Sequence, residues 1–164
     1  MRHFLIITIV IALSNIFAQA QSTGNQDESQ SLIQRVDSLE HELSYLKLTY
    51  ELSTLNSDIT MFSNEVYTKS IAIQLDLYNQ NFDRRLGEAY KRYYESCLHK
   101  QESFSELIEA KQTFFAVKVL TYPYTELELN TLMASYNVIK DAYNSLESSM
   151  NLLKLTIETY QKYM

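Results

Sequence analysis

The sequence predicts an all-α protein, an elongated antiparallel helical bundle or coiled coil of three long helices, and three observations carry that prediction. From Leu32 to Met164 the chain has one glycine, Gly87, and one proline, Pro123, so it has few places to turn. Its apolar residues recur three and four apart, the spacing of a helix face. Where the recurrence breaks, the residues are turn formers or helix caps.

The chain opens on a short basic start, Met1-Arg2-His3, and an apolar run from Phe4 to Leu13 broken only by Thr8. Polar Ser14 and Asn15 follow, and Ala18-Gln19-Ala20 then puts small residues at the two positions a signal peptidase reads. Residues 1–20 are therefore expected to be a signal peptide cleaved after Ala20. A membrane anchor would need roughly 18 or more apolar residues, and this run stops well short. No cysteine lies near Ala20 to take a lipid. The expected product is exported, to the periplasm or beyond the cell, with no transmembrane span. Residues 21–31 are Gln, Ser, Asn and acidic residues around Gly24, and read as a disordered lead-in.

The rest, residues 32–164, is expected to form one bundle domain with helices over about 32–79, 82–120 and 126–163. Leu32, Val36, Leu39, Leu43, Leu46 and Tyr50 form a first seam at coiled-coil spacing. It lapses at Ser53, and a shifted seam takes over as Leu48, Leu52, Leu55, Ile59, Phe62 and Val66, so the apolar face rotates around the helix. A third stripe is expected through Ile71, Leu75, Tyr78, Phe82, Leu86, Ala89, Tyr93 and Cys97. Asn79-Gln80-Asn81 before Asp83 reads as a turn, although the Tyr78 to Phe82 step keeps seam spacing across it. A turn there yields helices of comparable length, whereas one helix of about 90 residues would leave its stripe needing another chain. Ser103-Phe104-Ser105-Glu106 resembles a capping box.

The strongest periodicity lies last, where Leu129, Leu132, Tyr136, Ile139, Tyr143, Leu146, Met150, Leu153, Ile157, Tyr160 and Met164 keep the heptad step without a miss. Thr125-Glu126-Leu127-Glu128 fits a capping box at its start, with Tyr124 and Leu129 placed as a hydrophobic staple. Pro123 closes the helix before it, so 121–124 reads as a corner.

Composition narrows function by exclusion. The formal net charge is −6, and losing Arg2 with the signal peptide makes the mature chain more acidic. Phosphate-backbone binding takes clustered Lys and Arg, so nucleic acid is not an expected partner. Arg84, Arg85, Lys91 and Arg92 are interleaved with Asp83, Glu88 and Glu95 and read as a self-paired solvated face. Cys97 is the sole cysteine, which rules out an intrachain disulfide; it reads as a small buried residue or as half of an intermolecular bridge.

Glu95, Cys97, His99 and Glu102 are the one cluster of ligand-type residues, but a metal would want a second His or more carboxylates from a facing helix, and the only other mature histidine is His41, inside Glu40-His41-Glu42. Surface pairing around His99 is the expected role. No phosphate loop and no nucleophile elbow occurs. No catalytic, cofactor or metal site is therefore expected, and the chain reads as a non-enzyme.

Thirteen tyrosines against no tryptophan fit either the rim of a bundle core or a partner-facing surface. Phe114, Phe115, Val117, Val119, Leu120, Tyr122 and Tyr124 gather apolar residues at a corner, and are the candidate interaction tip. Leu39, Leu43, Leu146, Met150, Leu153 and Ile157 are the candidate coiled-coil seam for association with another copy. The leading expectation is an exported scaffold or adaptor that works by protein–protein interaction, with homo-oligomerisation through these seams. The alternative is a periplasmic holdase. In size, export signal and long antiparallel helices the chain is similar in outline to the Skp family, although Skp-like chains are basic and this one is acidic. A metal-binding bundle is a distant third reading.

Overall fold

The computed structural model describes residues 26–121 and 124–164, and side chains at 29–117 and 124–164. Three helices follow one another: α1 (Gln26–Tyr78), α2 (Arg84–Thr121) and α3 (Glu126–Gln161), with no strand among the described residues. The fold is all-α. The chain divides into two units, residues 1–48 and residues 49–164. The proposed signal peptide and its cleavage site lie outside the described residues.

In the first unit, the reading of 21–31 as a disordered lead-in is corrected from Gln26 onward, where α1 already runs. Gln, Glu and Ser are tolerated in a solvated helix, and extending an existing helix costs far less than nucleating one. The first seam is not buried here: Leu39, Leu43 and Leu46 are 52%, 49% and 62% exposed.

In the second unit, the last thirty residues of α1 pack with α2 and α3. Tyr93 on α2 meets Glu65 on α1, Phe104 meets Phe62, and Lys111 pairs with Glu51, so the partner number falls as the α2 number rises. These two helices are antiparallel. Tyr90 packs against Tyr160 and Phe115 against Tyr136, which makes α2 and α3 antiparallel as well. Ser63 bonds Ser149 at 3.1 Å and Gln74 reaches Thr156 at 3.5 Å, both numbers rising together, so α1 and α3 are parallel. The core is the shifted α1 seam together with the C-terminal seam: Leu52, Ile59, Val66, Leu132, Ile139, Leu146 and Leu153 are each almost wholly buried.

The third expected stripe is corrected. Ile71, Leu75, Tyr78 and Phe82 are exposed, and the α1 seam continues instead through Ser70 and Ile73, both fully buried. A serine conceals that continuation in the sequence. Its hydroxyl donates to the Val66 carbonyl at 2.9 Å, which satisfies it inside the core without a partner helix. The stripe on α2 runs through Tyr90, Cys97, Phe104, Ile108 and Phe115. Ser103 begins no helix either: it lies within α2 and donates to the His99 carbonyl.

The expected turn near residue 80 is present and closes as a Schellman motif. The Asn81 N–H donates to the Asp76 carbonyl at 2.9 Å, and the Gln80 N–H to that of Leu77 at 3.2 Å. Asp83 then caps α2, accepting from the Arg85 N–H at 2.6 Å. Gln80 sits at φ 56°, the left-handed region that glycine occupies without a Cβ clash. Gln80→Gly is therefore expected to raise stability by about 1 kcal/mol, moving the melting midpoint up by several degrees. A thermal midpoint that is unchanged or lower would show that the Gln80 side chain contributes more than its backbone strain costs.

At the other corner Thr125 has the capping box read from the sequence. Its hydroxyl accepts from the Glu128 N–H at 3.3 Å, and the Glu128 carboxylate accepts from the Thr125 N–H at 2.8 Å. α2 ends at Thr121 and α3 begins at Glu126, while Tyr122 and Pro123 of the expected corner lie outside the described residues.

Candidate functional site

Candidate surfaces divide into those that the bundle consumes and those that it leaves open. Of the C-terminal seam, Leu146, Met150, Leu153 and Ile157 are all buried within the second unit. Leu39 and Leu43, assigned to the same role, are half exposed on the first unit. The structure thus separates six residues that the heptad spacing makes look equivalent.

The tip is divided in the same way. Phe115 is buried with its ring tilted against Tyr136, centroids 5.7 Å apart, and Tyr124 is buried at the start of α3. These two belong to the core. Phe114 and Val117 lie on the exposed side of α2, with the Lys111 ammonium 5.9 Å from the Phe114 ring centre. The side chains of Val119 and Leu120, and all of Tyr122, fall outside the described residues.

An open groove that the sequence did not single out lies between α1 and α2. It encloses about 940 Å3, with Asp58 to Ala72 forming one wall and Tyr93 to Phe104 the other. Phe62 and Phe104 make its floor, their ring centres 5.9 Å apart, and Met61 stands largely exposed at its edge. Each wall contributes one lysine. Lys100 from α2 lies over the Phe62 ring, 4.1 Å from its centre, and Lys69 from α1 lies 5.8 Å from that of Tyr93. Neither lysine closes an ion pair with a described residue. Of the groove carboxylates, Glu65 accepts the Tyr93 hydroxyl at 3.1 Å.

Burial raises the pKa of groups on the α2 side of the groove. Burial pushes the Tyr93 phenol well above its ordinary value, and the Cys97 thiol and Glu65 carboxylate add to the shift. Burial also raises the Cys97 thiol, so it is not a thiolate poised for attack. Tyr90 is raised by burial and by its hydrogen bond to Asp76.

His99 stands on the outer face of α2, exposed, 3.7 Å from Glu102. Among the described residues no group of three His, Cys, Asp or Glu side chains could hold a metal ion, and no helix is long and apolar enough to cross a membrane. Arg92 turns to the Glu88 carbonyl at 3.4 Å rather than to its carboxylate, which departs from the self-paired face expected there. The groove has a largely buried aromatic floor, the exposed Met61 at its edge, and two ammonium groups beside the Asp58 and Glu65 carboxylates.

No signal in one sequence would have exposed the groove directly. Lys100 and Phe104 stand four apart, which hints at a cation over a ring, but the partner ring, Phe62, comes from another helix. Comparison with family models, with curated proteins and with solved structures finds no match for this chain.

Proposed function

We propose that this chain is an exported, non-catalytic helical-bundle protein that acts by binding protein and assembles with copies of itself through residues 32–50. The observation that carries the reading is the exposure of Leu39, Leu43 and Leu46 at heptad spacing. Large apolar side chains in a row on one helix face mark an interaction surface, and covering the exposed half of each leucine contributes roughly 1 kcal/mol.

Because these leucines are exposed, substituting them separates assembly from folding. Leu39→Asp with Leu43→Asp is expected to leave helicity nearly unchanged and to lower the thermal midpoint mainly by the concentration-dependent contribution of assembly. It is expected to convert residues 21–164 to a monomer in sedimentation equilibrium at micromolar concentration. A wild-type chain that sediments as a monomer would overturn the reading. A holdase-type chaperone is the second reading, favoured by the open groove between α1 and α2 with Met61 exposed at its edge. Suppression of the aggregation of an unfolded outer-membrane protein at stoichiometric amounts would favour it over a scaffold.

A further inference from the structure

The leucine stripe of α1 carries its own complement. The heptad step runs through Leu32, Val36, Leu39, Leu43 and Leu46; the last three are exposed, and Leu32 and Val36 are partly covered. Arg35 and Glu42, seven apart, line one edge of that stripe, and Glu40 and Lys47, also seven apart, line the other. All four are exposed, and none closes an ion pair with a described residue. Each edge thus holds one base and one acid, at the positions where coiled coils select their partners.

Laid against a second copy of itself, the stripe pairs all four charges in either direction. In a parallel contact one edge meets the partner's opposite edge, so Arg35 faces the partner's Glu40 and Glu42 faces the partner's Lys47. In an antiparallel contact like edges meet, so Arg35 faces the partner's Glu42 and Glu40 faces the partner's Lys47. The leucines close on one another in both. A two-fold contact requires such self-complementarity, because each copy presents the same surface that it receives. The stripe also pays no folding cost on binding, since it lies inside the 53-residue helix Gln26–Tyr78.

Resting on the self-association proposed above, we infer that the stripe from Leu32 to Leu46 docks on the same stripe of a second copy of this chain, with Arg35, Glu40, Glu42 and Lys47 selecting that partner. A segment cannot lie alongside itself, so the occupant belongs to another chain wherever the remaining helices lie.

An acidic and a basic form of residues 21–164 test the pairing. Arg35→Glu with Lys47→Glu makes all four flanking positions acidic, and Glu40→Lys with Glu42→Lys makes all four basic. Each form alone is expected to dimerise at least about tenfold more weakly than wild type in sedimentation equilibrium at micromolar concentration. An equimolar mixture is expected to recover a heterodimer within a few-fold of wild-type affinity, since every contact is again between opposite charges. That recovery requires both forms to be folded, which circular dichroism of each checks independently. Suppose that the wild type dimerises and Leu39→Asp with Leu43→Asp abolishes the dimer. If the two charged forms then dimerise as the wild type does, or their mixture gains nothing, the stripe mates with a different surface: the stripe-on-stripe pairing is overturned while self-association stands. A wild-type monomer, as when the stripe is covered by its own chain or kept for an unrelated protein, overturns both, and so does a dimer that survives Leu39→Asp with Leu43→Asp.

Discussion

Leu146→Asp is expected to unfold the bundle. Leu146 is fully buried on α3, in the same stripe as Ile139, Met150 and Leu153. Shortening a buried leucine to alanine alone costs roughly 2 to 5 kcal/mol, and an aspartate adds the desolvation of a charge or of the proton it must take up. The sum exceeds about 4 kcal/mol, a large part of the 5 to 15 kcal/mol that holds a typical domain together. Urea unfolding followed by circular dichroism should show a transition shifted to far lower denaturant or no cooperative transition at all. Leu146→Met keeps the volume and should cost less than about 1.5 kcal/mol. A Leu146→Asp protein that unfolds at the wild-type midpoint would mean that α3 does not pack on this face. The contrast with Leu43→Asp matters, because the same substitution on an exposed seam should spare the fold.

Tyr160→Ala should be nearly as damaging, and for a different reason. Tyr160 lies fully buried at the C-terminal end of α3, where its hydroxyl accepts from the Asp83 N–H at 2.9 Å and donates to the Asn81 carbonyl at 2.7 Å. It therefore ties α3 to the turn joining α1 and α2. Its ring meets Tyr90 edge-on, centres 5.3 Å apart, and Phe82 at 5.8 Å, while Phe82 stacks in turn on Tyr163. Gly87 is part of the same arrangement, since a Cβ there would run into the Met164 side chain and touch the Tyr160 ring. Removing the whole side chain is expected to cost roughly 3 to 5 kcal/mol through the cavity. Tyr160→Phe removes only the hydroxyl and should cost about 1 to 2 kcal/mol, with the Asp83 amide exchanging faster against deuterium. Equal losses in the two variants would show that the hydrogen bonds, not the ring, hold this end. No loss in either would remove the tie altogether.

The Thr125 capping box was legible because it depends on residues three apart. The turn at Asn79 to Asp83 was legible from its polar residues, although Gln80 takes the left-handed position that a glycine would have announced. The Ser103 box failed because a serine inside a helix can satisfy itself on the preceding turn, as Ser103 does on His99. The third stripe failed for a related reason. Ser70 hides its hydroxyl on Val66 and so occupies a core position that hydrophobic spacing assigns to an apolar residue.

The sequence by itself determined that the chain is helical, where the helices break, and which residues are able to lie on a seam, because periodicity and capping are properties of neighbouring residues. It could not rank its seams. Leu43 and Leu146 carry the same spacing and the same side chain, yet one is half exposed and the other fully buried. Nor could it show the groove, whose floor and rims come from residues that stand far apart in the chain, such as Phe62 and Lys100, and meet through antiparallel packing. Burial and recognition are relations between helices, so tertiary structure decided them: it consumed the C-terminal seam as core, divided the corner aromatics between core and surface, and left one leucine stripe and one lysine-edged groove open to solvent.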